Sequence, residues 1–129
     1  MKWLVKYTDK VQGAYKIKML PFIRMNSKYK NDIGLHQHEY EHIKQYFMLG
    51  IPVSVVVFLL SNWLFALIAL AVSHDLMYTL VKKYRQWSEV SAFKKQLKHG
   101  GSINVAAERL SSDYDLGITK EEAIKLLSK

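Results

Sequence analysis

The sequence predicts an α+β protein, mainly helical, with a small antiparallel sheet at the N-terminus and an apolar helical hairpin inserted among the helices. Three observations lead there. Residues 11–25 mix β-branched and aromatic residues with lysines around Pro21, a composition that suits short strands. From Ile33 the spacing turns helical. Phe47 to Ser73 then carries no charged residue, while the segments on either side are rich in lysine. With 129 residues the chain is the size of one domain. Residues 1–129 are therefore read as a single unit, with the hairpin at about 51–81.

The elements follow in chain order. Val11 to Leu20 is read as the first strand and Phe22 to Met25 as the second, with Pro21 placing an edge or a turn between them. Asn26 to Asn31 is a polar loop. Asp32 is the expected N-cap of a helix from Ile33 to about Leu49, where Gly50-Ile51-Pro52 should stop it. Two apolar arms, 51–60 and 63–81, meet at Ser61-Asn62. A helix from Glu89 to Lys98 ends at His99-Gly100-Gly101. Two short helices close the chain, one near Ser102 and one at Thr119, where T-K-E-E forms a capping box.

The net charge of +8 and a pI near 9.6 favour anionic surfaces. No RNA-binding signature, zinc finger or basic recognition helix is present, so no specific nucleic-acid partner is expected. There is no cysteine, which removes disulfides, thiolate zinc sites and a cysteine nucleophile. The start MKWLVKYTDKV lacks the apolar core of a signal peptide. A cytoplasmic or membrane-associated location is expected, a phage particle among the alternatives.

The chemistry concentrates in G-L-H-Q-H-E-Y-E-H-I-K-Q-Y, residues 34–46. His38 and His42 stand one helical turn apart, so both imidazoles converge on a single ion. Glu39 is rotated by roughly 100° from His38 and about 60° from His42. Its carboxylate lies beside the ion without binding it, where it can take a proton from water. The bland alternative is a polar helix with protonatable histidines. A catalytic zinc site needs a third protein ligand, for which His36, His74, Asp75 and Glu89 are the candidates. His36 points about 160° away from His38 on the same helix. Gln45, on the face of His38, suits a supporting role behind a ligand.

The helix H-E-Y-E-H-I-K-Q-Y, the later helix E-V-S-A-F-K-K-Q and the tail N-V-A-A-E-R-L-S-S-D-Y-D-L-G-I-T-K-E-E-A resemble the gluzincin metallopeptidases. They resemble most the small HExxH proteins of phage and bacterial genomes. That resemblance implies a minimal zincin-like core and a zinc ion held by His38, His42 and Glu89. It further implies Glu39 as general base, a peptide or protein as substrate, and Phe22 to Met25 as an edge strand on which the substrate lies. The chain departs from the family where a long apolar connection joins the two helices.

That connection constrains topology. A single crossing would put His38 and Glu89 on opposite sides of a hydrocarbon layer about 30 Å thick, so they could not share an ion. Three arrangements follow: a hairpin dipping into one leaflet, a hairpin buried in a homo-oligomer or another partner protein, or a true span with no zinc site. The rival to an enzyme is a non-enzymatic membrane-associated or virion structural protein with a structural or vestigial metal site. His74 and Asp75, adjacent on a helix, are expected to diverge and play structural parts. Tyr40 and Tyr46 could donate to an oxyanion, Tyr46 being nearer the metal face, but are expected to pack, and Trp3, Trp63 and Trp87 to anchor the core or an interface.

Overall fold

A computed structural model describes residues 4–10, 15–19 and 21–129, with backbone alone for 15–19. Trp3 and part of the strand expected over 11–20 lie outside the described residues. Three strands, β1 (Val5–Tyr7), β2 (Tyr15–Met19) and β3 (Phe22–Met25), are followed by five helices: α1 (Ile33–Leu60), α2 (Trp63–Leu80), α3 (Lys82–Leu97), α4 (Ile103–Ser112) and α5 (Lys120–Ser128). The protein is mainly helical with a small N-terminal sheet, as expected.

Two expectations about the sheet are corrected. The strand order is β1-β3-β2. β2 pairs antiparallel with β3, but β1 pairs parallel to it, with Val5 opposite Ile23 and Tyr7 opposite Met25. The sheet is therefore mixed rather than antiparallel, because a strand preceding β2 joins the far side of β3. For the same reason Phe22–Met25 is the central strand, and both of its edges already hold neighbours. Its alternation is clear: Ile23 and Met25 are buried and Phe22 and Arg24 exposed. Ile23 and Met25 pack with Leu4, Val5, Leu35, Ile43 and Tyr46, which joins the sheet to the first half of α1.

The helix from Ile33 is capped by Asp32, whose carboxylate accepts from Leu35 N at 2.8 Å. It does not end near Leu49; α1 continues through Pro52 to Leu60. A proline removes one hydrogen bond and crowds the carbonyl four residues back. Here apolar packing along α2 outweighs that local cost. Gly50 lets the two helices approach closely, since a Cβ there would stand 3.0 Å from Leu70 Cδ1 and 3.1 Å from Leu70 O. The helices run antiparallel, with Tyr46 beside His74 and Gly50 against Leu70. Ser61 and Asn62 make the turn between them, as expected.

The helix expected from Glu89 begins earlier, at Lys82, which sets Glu89 within α3 rather than at its start. Gly100, at φ 107°, ends the segment in a conformation that side chains resist. α3, α4 and α5 bury a second cluster around Phe93, Ala107, Leu110, Leu116 and Ala123. The capping box at Thr119 and Glu122 is present. His38 and Phe93 meet edge to face, with ring centroids 4.6 Å apart, so the HExxH helix lies where the two clusters join.

Candidate metal centre

One turn of α1 places His38 and His42 on the side facing α3, and α3 presents Glu89 between them. The Nε2 atoms of His38 and His42 are 3.2 Å apart. Glu89 Oε1 lies 3.5 Å from His42 Nε2, and Glu89 Oε2 lies 3.7 Å from His38 Nε2. Tetrahedral zinc with bonds of about 2.0–2.1 Å has ligand–ligand edges of roughly 3.4 Å. The three donors thus already stand at the spacing of one face of such a tetrahedron. They are the group of His, Asp and Glu side chains among the described residues that could hold an ion. The chemistry of the set, two imidazoles and a carboxylate, suits zinc and leaves a fourth position.

Supporting hydrogen bonds orient the three side chains. His42 Nδ1 lies 3.2 Å from Gln45 Oε1 and 3.2 Å from Ser88 Oγ, so its proton is held on that side and Nε2 turns to the centre. Ser88 Oγ donates to Gln45 Oε1, and Gln45 Nε2 donates to the Ser88 carbonyl at 3.2 Å, tying α1 to α3. Tyr78, from α2, donates its hydroxyl to Glu89 Oε1 at 2.6 Å. Gln96, from α3, stands beside His38 and favours its charged form. Gln45 therefore serves His42, although its position in the sequence associates it with His38. Ser88, Tyr78 and Gln96 were not legible in the sequence. They come from elements whose approach to His38 and His42 only the tertiary fold defines.

Burial governs the charges. His38, Glu39, His42 and Glu89 are each no more than 3 % exposed. Burial, aided by positive charge on His42, lowers the His38 pKa to about 3, so its imidazole stays neutral. Burial also lowers His42, but the hydrogen bond and charge of Glu89 outweigh it and leave a net upward shift. Burial raises Glu89, while the hydrogen bond and charge of His42 pull it below its ordinary value. Glu39 is pushed up to about 8, mainly by burial and then by the Glu89 charge, with His42 opposing. Both Glu39 carboxylate oxygens are buried with no hydrogen-bond partner. A buried carboxylate left this way is costly. A cation beside it would relieve that cost, so the residues present fit a bound metal.

The remaining candidates separate cleanly. His36 Nε2 meets Tyr7 Oη at 3.3 Å and the Lys30 carbonyl at 3.0 Å, on another side of α1. His74 is buried beside Tyr46, Tyr78 and Tyr84 and stands outside the ligand group. Contrary to expectation it does meet Asp75, Nδ1 to Oδ1, at 3.3 Å. Tyr46 packs in the core, and Tyr40 packs against it partly buried. Trp63 and Trp87 are exposed rather than core residues. No family model, curated protein or solved structure matches the chain.

Proposed function

We propose that the chain is a zinc-dependent metallopeptidase of gluzincin type, with His38, His42 and Glu89 as zinc ligands and Glu39 as general base. The observation that carries this reading is the triangle of donor atoms at zinc spacing, beside a buried HExxH glutamate that has no hydrogen-bond partner. On this reading the sheet, α1 and α3 form a minimal zincin-like core.

When bound, the ion supplies a Lewis acid that lowers the pKa of water and polarises the scissile carbonyl. Glu39 removes one proton from the attacking water as the carbon–oxygen bond forms. It returns that proton to the amide nitrogen as the carbon–nitrogen bond breaks, and the second water proton passes from the new carboxylic acid to the amine, leaving a carboxylate and an ammonium. Positive charge beside Glu39 favours its carboxylate, so the base becomes competent only when the site is loaded. Ser88 and Gln45 hold the His42 ring, and Tyr78 holds Glu89. Phe93 and Gln96, which touch His38, also line a cleft with Leu35 and Arg109 of about 80 Å³. A peptide would approach the centre from there as the walls part.

The burial of the whole group favours a second reading: a structural or vestigial metal site in a non-enzymatic membrane-associated or virion protein. Glu39 separates the two, because a purely structural site gains nothing from a buried acid without a partner. The test uses a diverse peptide library, with and without chelator. Glu39→Gln should retain zinc and lose hydrolysis by about a hundredfold to ten-thousandfold. Undiminished hydrolysis in that variant would sink the mechanism. A zinc-loaded wild type that cleaves nothing would favour the structural reading.

A further inference from the structure

We propose that the hairpin of α1 and α2 inserts tip first into a phospholipid bilayer from one side without crossing it. The first support is the breadth of the exposed apolar surface. On α1, Ile51, Val55, Val56, Leu59 and Leu60 are all more than half exposed. At 100° per residue they sweep roughly 180° of the helix. On α2, Trp63, Leu64, Phe65, Leu67 and Ile68 do much the same on the other side. A docked protein covers one face, whereas lipid surrounds both arms. Both helices are long and apolar enough for a membrane, yet only 22 % and 17 % of their most apolar windows are buried. The core helix of a water-soluble domain would be mostly buried.

The turn pairs part of its own polar surface. Ser61 Oγ donates to the Val57 carbonyl at 2.7 Å, and Asn62 Oδ1 accepts from Leu64 N at 3.0 Å and Phe65 N at 3.3 Å. The Ser61 hydroxyl, the Asn62 side-chain oxygen and the first amides of α2 are thus paired within the chain, which lowers their cost in hydrocarbon.

Depth follows from register. Because Tyr46 lies beside His74, the exposed Lys44 and the half-exposed Asp75 stand at nearly the same level and mark the polar boundary. From Gln45 to Leu60 the uncharged arm rises by about 24 Å, and from Trp63 to His74 by about 18 Å. Both fall short of a hydrocarbon core of about 30 Å. The lower part of α2 is not free to extend the hairpin, since Ser73 and His74 are buried and Tyr78 is engaged with Glu89. Lys82 and Lys83, exposed where α2 hands over to α3, complement anionic headgroups. The proposal stands on the hairpin alone, independently of the zinc reading.

The test uses the full chain and vesicles of phosphatidylcholine with phosphatidylglycerol. The protein should float with the vesicles, and Leu59→Asp with Phe65→Asp should lower partitioning by roughly a hundredfold or more. Both side chains are exposed, so circular dichroism should show an unchanged fold. With Trp3 and Trp87 replaced by phenylalanine, Trp63 should be quenched by lipids brominated along the acyl chain. Ser61→Cys, alone in a cysteine-free chain, should resist a membrane-impermeant maleimide on either side. Labelling from the lumen would overturn the proposal in favour of a full crossing. Failure to float, with a defined water-soluble oligomer, would overturn it in favour of a second copy covering the hairpin.

Discussion

Glu39 is fully buried with neither oxygen hydrogen-bonded, and its charge state links the site to stability. In the chelated protein its pKa of about 8 lies above the ordinary 4.5, so the folded chain holds this proton more tightly than the unfolded chain. Stability is then lost as pH rises from 4.5 to about 8 and levels off above that. Glu39→Gln removes the titration. In chelator, the variant should match the wild type in acid and exceed it increasingly above that, by at most about 5 kcal/mol. Urea unfolding across pH measures this, and a gap that does not change with pH would contradict it. On the proposed reading, Ser88 would act through His42, whose Nδ1 lies 3.2 Å from its hydroxyl, rather than on any reacting atom. Ser88→Ala removes a hydroxyl held by His42 and Gln45 and should weaken zinc binding by about tenfold to a hundredfold. Helical content should be unchanged, and unaltered affinity in a zinc titration would exclude this positioning role.

At the scale of the element, α1 and α2 approach closely at Gly50. The Leu70 backbone carbonyl, only 3.1 Å from a Cβ built at Gly50, cannot yield as a flexible side chain would. Gly50→Val should therefore push the helices apart and destabilise by about 1–3 kcal/mol, despite the usual cost of glycine in a helix. Thermal unfolding checks the sign, and a raised midpoint would show that the hairpin does not pack at this position. The turn at Ser61-Asn62, the Asp32 cap and the Thr119 capping box were legible because each is a local signal read over a few residues. The continuation of α1 through Pro52 was not, since it depends on α2, which packs along it from farther down the chain. The mixed sheet was hidden for a related reason: β1 has three residues, and its parallel partner is set by tertiary pairing rather than by its own pattern.

For the whole molecule, the hairpin and the candidate centre belong to the same two helices. α1 carries His38 and His42 at its base and the apolar arm beyond, while α2 returns to deliver Tyr78 to Glu89. A hairpin seated in lipid would therefore hold the centre close to the headgroups, with the sheet and the closing helices on the same side. His38, Glu39 and His42 were legible because helical periodicity alone places them. Glu89 depended on the gluzincin resemblance, since spacing left four candidates open, and it is the packing of α3 against α1 that sets it against both histidines. The central claim is that these three side chains hold one zinc ion. The most direct measurement is a zinc titration of the chelator-treated full chain beside Glu89→Ala. One ion should bind per wild-type chain, and the variant should lose affinity by at least about a hundredfold, because only two histidines remain. Equal affinity in the two proteins, or no stoichiometric zinc in the wild type, would contradict the claim.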